Sequence, residues 1–217
     1  MQQATASTSP IDLEAFARAP LVETPFPFVI VPKFLRPETL KRVIADFPEI
    51  PKGGSFPPAG LAIGPACRDL VEALQGPEMR DAVSRKFGID LTGRPTMVTF
   101  RGEVRPRDGK IHADSRTKLI SVLVYLNETW EAPGGRLRLL RSRDRIEDVA
   151  AEVAPVSGNL VAFRVGPDSW HGHTSASGVR RSIQLNWVTD EGVLRRELAR
   201  HGFSARLKRL IPFFGEY

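Results

Sequence analysis

The chain has 217 residues, 41% of them hydrophobic and 26% charged, with 31 Lys+Arg against 25 Asp+Glu for a net charge of +6. That balance excludes a wholly disordered protein and allows one sizeable core. No apolar run approaches the ~20 residues of a membrane-spanning helix, so no membrane partner is expected. The opening MQQATASTSPIDLEAF lacks the basic-then-apolar pattern of a secretory leader. The single cysteine, Cys67, excludes an intrachain disulfide, and a reducing, cytoplasmic setting is expected.

Residues 1–25, rich in Ser, Thr, Ala and Pro, read as a flexible N-terminal arm with one short amphipathic stretch from Ile11 to Arg18. Residues 26–217 read as one domain. Its first part, 26–94, is a helical support region. PFPFVIVPKFL is a short strand with prolines at its margins, and Pro37 opens a helix carrying Leu40, Val43, Ile44 and Phe47 at helical spacing. PKGGSFPPAGLAIGP is a loop, and residues 67–87 form one or two helices broken near Gly76-Pro77.

From 95 to 190 the pattern becomes β. LISVLVYL, Leu119 to Leu126, is β-branched and eight residues long, which predicts a strand buried on both faces. RLRLL alternates and predicts a half-exposed strand. VAPVSGNLVAFRV holds a turn at Ser157-Gly158-Asn159 and then a strand, and in RRSIQLNWV the residues Ile183, Leu185 and Trp187 share one face. Beyond Asp190, a helical tail (191–217) offers Val193, Leu194, Leu198, Phe203, Leu207 and Ile211 for docking. Short strands at roughly 8–12-residue spacing predict a sandwich or barrel. The expected fold is mainly β with flanking helices, a double-stranded β-helix (jelly roll, cupin-like) between N-terminal helices and a C-terminal helical tail.

The four histidines are His112, His171, His173 and His201, and three of them fall in two short segments, IHADS and WHGHT. On an extended strand, residues i and i+2 face the same way, so His112 and Asp114 converge. A histidine from a distant strand completes a two-histidine, one-carboxylate triad, which leaves metal positions open and suits non-haem Fe(II). His171 follows the apolar strand NLVAFRV. Arg181 follows ten residues later with the strand parity of Ile183, Leu185 and Trp187, where a guanidinium needs an anionic partner such as a small dicarboxylate. His173 shares the parity of His171; the resemblance given next, through the Trp-His-Gly context and the ten-residue step to Arg181, favours His171.

IHADS, VLVYLNETW followed by Gly-Gly, and WHGHTSASGVRRSIQLNW occur in an order that resembles the 2-oxoglutarate/Fe(II)-dependent oxygenases, in particular the prolyl-4-hydroxylase-like branch. The resemblance covers about residues 95–190. It implies a dioxygenase that uses Fe(II), O2 and 2-oxoglutarate, with ascorbate as an accessory, to hydroxylate a peptidyl or small-molecule substrate and release succinate and CO2. It further implies His112, Asp114 and His171 as iron ligands and Arg181 as the anchor of the far carboxylate. Tyr125, in VYLN, would be a hydroxyl donor to that carboxylate, its other reading being a core aromatic. Related enzymes often carry a tyrosine about ten residues before the first ligand histidine; Phe100 and Arg101 stand in that neighbourhood here. The alternative is a cupin-like module that binds a metal or an anion without oxygenase chemistry.

No GxxxxGK[ST] or GxGxxG occurs, and one thiol is too few for a structural zinc site. The arginines are spread along the chain, so the positive balance reads first as compositional, with a basic rim from clusters such as Arg101-Arg105-Arg107 as the lesser reading, and nucleic acid is not the expected partner. The loops PKGGSFPPAGLAIG, EVRPRDGK and ETWEAPGG would line the entrance to the site. Arg105, Arg107 and Lys118 near the first ligands hint at an anionic substrate.

Overall fold

The computed structural model describes residues 9–50 and 52–199. Its first elements are α1 (Leu13–Arg18), β1 (Phe28–Val31), α2 (Pro37–Ala45), α3 (Pro65–Gln75) and α4 (Pro77–Phe87). Strands β2 (Thr96–Val104), β3 (Lys118–Tyr125), β4 (Leu137–Leu140) and β5 (Val149–Val153) follow. The order closes with β6 (Leu160–Arg164), β7 (His171–Gly172), β8 (Gly178–Val188) and a helix over 191–199.

The helix boundaries follow from local chemistry. α2, α3 and α4 each begin on proline, whose fixed φ suits the first turn and whose missing N–H would have no helical partner there. Gly76 ends α3 and precedes Pro77, so two helices stand where one amphipathic pattern runs on. α4 stops at Gly88, which adopts the left-handed conformation (φ 59°) that glycine takes without a Cβ clash.

The strands form two antiparallel sheets, one of order β1-β6-β3-β8-β2 and a smaller one of order β5-β4-β7. The larger sheet is buried on both faces. Val122, Val124, Ile183, Leu185 and Trp187 pack against Phe16, Val43, Leu70 and Val83 of the helices. Tyr125, Val161 and Phe163 meet Leu137, Leu139 and Val153 of the smaller sheet. This is a jelly roll with a helical layer on one side. Cys67 belongs to the helical layer; its thiol donates to the Val43 carbonyl, and burial together with Asp46 pushes its pKa up to about 12, so it is an inert core group.

Three details depart from the sequence reading. Residues 9–25 are not a loose arm: Ile11 is buried and bridges to Leu35, and Phe16 of α1 is fully buried. The polar composition that suggested an arm ends where the apolar stripe of Ile11 and Phe16 begins; residues 1–8 lie outside the described part. A strand, β5, pairs with β4 where none was read; β4 itself keeps the expected alternation over 137–139, with Leu137 and Leu139 buried and Arg138 between them partly exposed, while Leu140 is buried as well. In the tail, Val193 docks while Leu198 is exposed; Phe203, Leu207 and Ile211 lie outside the described residues.

Candidate active site

His112 and His171 are brought together by the backbone. The two residues face each other in an antiparallel bridge and exchange both main-chain hydrogen bonds, His112 N to His171 O at 3.0 Å and His171 N to His112 O at 2.9 Å. The chain passes here with little room to spare. A Cβ on Gly172 would stand 2.7 Å from the Gly109 carbonyl oxygen, and one on Gly109 would stand 2.3 Å from the His173 ring. Two glycines at this crossing therefore let the IHADS segment lie against β7.

Asp114, two residues beyond His112, turns to the same side. The ligand atoms of His112, Asp114 and His171 all lie within 4.8 Å of one another. Each imidazole donates its Nδ1–H to a main-chain carbonyl, His112 to Lys110 and His171 to Ser169, both at 2.9 Å. A carbonyl can only accept, so the protonated nitrogen is Nδ1 and the Nε2 lone pairs are free to ligate. Phe163 packs 4.9 Å from the His171 ring, centroid to centroid, and keeps that side dry.

Burial, and next the nearby His112, lower the His171 pKa to about 4, so the ring is neutral at pH 7. Burial pushes the Asp114 carboxyl upward. Lys118, whose Nζ lies 2.8 Å from Oδ1, then His171 and the Ser121 hydroxyl outweigh it and hold the pKa at about 2. Ser121 Oγ donates to Asp114 Oδ2 at 2.5 Å and accepts from Asn186 Nδ2 at 2.7 Å. Asn186 Oδ1 in turn accepts from Gln184 at 3.3 Å. This chain of side chains from β8 through β3 fixes the carboxylate.

The three groups line a cavity of about 450 Å³, and its other end is cationic. Arg180 is buried there. Its Nε donates to the Gly135 carbonyl at 2.8 Å, Nη2 stands 3.4 Å from the Tyr125 hydroxyl, and the guanidinium lies 5.0 Å from the centre of the Tyr125 ring. Tyr125, also lining the cavity, is thus both a core aromatic and a hydroxyl aimed at the site.

Arg181, the residue singled out from the sequence, does not line the cavity. The parity argument was sound, but the face it shares with Ile183, Leu185 and Trp187 is the one under the helices. The residues facing the site have the opposite parity: Arg180, Gln184 and Asn186 line the cavity. A run of polar residues at every second position of RRSIQLNW was the available signal.

His173 also lines the cavity, but its Nδ1 is bonded to the Thr174 carbonyl at 2.9 Å and it stands outside the three-group cluster. Arg101 of β2 has no site role in the sequence reading. It faces the same space, and its Nε, like the Ser182 hydroxyl, is buried with no hydrogen-bond partner among the described residues.

Residues 103–189 match the family model described as the 2OG-Fe(II) oxygenase superfamily. No curated protein sequence matches the chain. Among solved structures, a prolyl-4-hydroxylase from Pseudomonas putida aligns with a TM-score of 0.54 at 20% identity, covering 82% of this chain and 97% of that one. A Trichoplax adhaerens prolyl hydroxylase, solved with a hypoxia inducible factor oxygen degradation domain peptide fragment, aligns at 0.53 and 18% identity, covering 80% and 86%. An oxidoreductase of the 2OG-Fe(II) oxygenase family from Burkholderia pseudomallei aligns at 0.50 and 16% identity, covering 74% and 84%. At these identities the structural likeness shows the fold alone, and the similarity to the 2OG-Fe(II) oxygenase superfamily lies in the β part of the chain, residues 103–189, where the converging histidines and carboxylate stand.

Proposed function

We propose that His112, Asp114 and His171 hold Fe(II), that Arg180 and Tyr125 receive the far carboxylate of 2-oxoglutarate, and that the enzyme hydroxylates a peptidyl or small-molecule substrate. The observation that carries this reading is the convergence of two Nε2 lone pairs and an ionised carboxylate in one cavity with a buried guanidinium. Two imidazoles and one carboxylate suit Fe(II) and leave coordination positions for other ligands. When bound, iron and 2-oxoglutarate supply the oxidising power: O2 gives one oxygen atom to the substrate C–H bond and one to succinate, and CO2 leaves.

The protein's own groups bind, orient and exclude. The carbonyls of Lys110 and Ser169 hold the two imidazoles in the ligating tautomer, and Ser121 and Lys118 hold the carboxylate ionised. Arg180 cannot swing away, because Gly135 and Tyr125 hold it. It therefore sets how deep a dicarboxylate can reach. Among the described residues no helix is long and apolar enough to cross a membrane.

The test is anaerobic. Fe(II) added with 2-oxoglutarate should give a weak visible charge-transfer band, and admitting O2 with a substrate should yield succinate. If His112→Ala and Asp114→Ala variants formed the same band and the same succinate, the assignment would fall.

A further inference from the structure

Asp114 carries two side-chain donors, one on each oxygen, and they do different things. Ser121 Oγ donates to Oδ2 and is itself held by Asn186, so the direction of the carboxylate is set from β3 and β8. On the other oxygen, the Lys118 ammonium stands 2.8 Å from Oδ1. A turn over residues 114–118 brings it there. The Lys118 N–H donates to the Ser115 carbonyl at 2.9 Å, the Ser115 and Thr117 hydroxyls bond at 2.8 Å, and the start of β3 is folded back over Asp114. Arg116, the other cation of the turn, is exposed and does not line the cavity. Lys118 does line it, with its side chain only 12% exposed.

A carboxylate attracts a dication by its negative charge. An ammonium on one of its oxygens cancels that charge locally, and between largely buried groups the effect is little screened. Ligating imidazoles are neutral, so Asp114 and Lys118 together leave the three-ligand cluster without net charge. A dication held there has Lys118 as a like-charged neighbour. An anion that joins the dication has Lys118 as an opposite charge. Aim does not depend on the lysine, because Ser121 and Asn186 hold the carboxylate from its other oxygen. The two donors on Asp114 therefore act on metal affinity with opposite signs: the hydroxyl supports it by orientation and the ammonium opposes it by charge.

We infer that Lys118 is a built-in counter-charge that weakens the hold of the three ligands on the metal alone and couples metal retention to the arrival of the anionic cosubstrate. This rests on the proposed iron site. Lys118 acts through Asp114 and through its field. It opposes the first binding step and favours the second, which is a coupling free energy between metal and cosubstrate and is reciprocal.

The experiment is an anaerobic calorimetric titration of the full-length protein with Fe(II), alone and with 2-oxoglutarate present, at one pH, with thermal midpoints measured in parallel. Lys118→Met keeps the stem and removes the charge. It should tighten Fe(II) alone by about 10-fold, even though the midpoint before Fe(II) is added falls, because Asp114 loses its counter-ion. The same variant should weaken 2-oxoglutarate on the Fe(II)-loaded protein several-fold, so that the cosubstrate strengthens Fe(II) binding less than in wild type. Lys118→Arg keeps the charge and should stay near the wild-type values, whereas Ser121→Ala should weaken Fe(II). A lysine with a merely structural role would lose Fe(II) affinity in step with stability. The inference is overturned if Lys118→Met binds Fe(II) no tighter than wild type, or if the strengthening by 2-oxoglutarate is unchanged; Lys118→Gln carries the same test if the methionine variant does not fold. Asp114→Ala separates the two levels: unchanged Fe(II) affinity there would remove the iron site itself, whereas a loss there with no tightening in Lys118→Met would remove only the counter-charge.

Discussion

The two faces of the larger sheet are both buried and have nothing else in common. Toward the helices, β2, β3 and β8 present Phe100, Val122, Val124, Ile183, Leu185 and Trp187, all at 1% exposure or less. Toward the smaller sheet, the alternate residues of the same strands are Thr99, Arg101, Ser121, Arg180, Gln184 and Asn186. Strand geometry makes this possible at no cost in chain length, since successive side chains point to opposite faces. The difference teaches that burial divides into two kinds. One face removes apolar area from water and supplies stability. The other keeps polar groups dry and aimed, and its partners are hydrogen bonds to one another or ligands yet to bind.

The sharpest way to break that division is on the polar face. Asp114→Ala should abolish specific Fe(II) binding, with affinity falling by more than about 100-fold by titration of the metal-free protein. It also leaves Lys118, whose side chain is only 12% exposed in the pair, without its carboxylate. Stability should therefore drop even without metal, as expected when one member of a buried pair is removed. Retention of wild-type metal affinity would mean that the three converging groups are not the ligands.

On the apolar face the effect should be the opposite kind. Trp187→Ala empties a site among the helices and the sheet and should cost about 3–5 kcal/mol of unfolding free energy, measured by denaturant titration. Fe(II) and 2-oxoglutarate affinities of the protein that remains folded should stay near wild type, because the Trp187 side chain packs on the helix side of the sheet and does not line the cavity. Loss of both together would show that the faces are coupled through the strand.

A pH titration sharpens the comparison without removing a large side chain. In the metal-free protein the folded pKa of His171 is lowered, from 6.5 to about 4, so the unfolded chain binds the proton more readily. Stability from this residue is complete above pH 6.5 and is lost as pH falls toward 4, at most ~3 kcal/mol. Asp114, lowered from 3.8 to about 2, loses its share in the next window down. The thermal midpoint should thus begin to fall near pH 6.5, and His171→Asn should flatten that first slope. An unchanged slope in the variant would place the titrating group elsewhere.

Much of this was legible in the chain because it depended on local rules. Proline at a helix start, the Gly76-Pro77 break and the β-branched run of β3 all follow from backbone preferences within a few residues. His112 and Asp114 were legible for the same reason, since their spacing alone puts them on one side. What was not legible depended on which layer covers which face. RRSIQLNW contains one apolar and one polar stripe, and nothing within the segment says that the helices take the apolar one and the site the polar one. Reading Arg181 as the anchor takes the apolar stripe to be the one that faces the site. Residues 9–25 teach the same: Ile11 bridges to Leu35, Phe16 meets Phe34 and α1 packs on α4, so what covers the segment lies outside it.

The smallest effect tests that same point. Arg181 is half-buried, and its main chain makes two hydrogen bonds: its N–H donates to Asn127 Oδ1 at 2.7 Å and its carbonyl accepts from Leu126 N at 3.0 Å. Alanine keeps both. Arg181→Ala should therefore change stability by no more than about 0.5 kcal/mol and leave 2-oxoglutarate affinity where it was. Arg180→Gln, one residue away, removes a buried guanidinium from the cavity and should weaken 2-oxoglutarate about 10- to 100-fold by the same binding assay. Both arginines carry the same charge and sit on the same strand, so long-range electrostatics cannot separate them. Only the direction in which each side chain leaves the sheet can. If Arg181→Ala weakened the cosubstrate as much as Arg180→Gln, the far carboxylate would be held from the helix-side face, and the cavity between the sheets would lose its claim to the site.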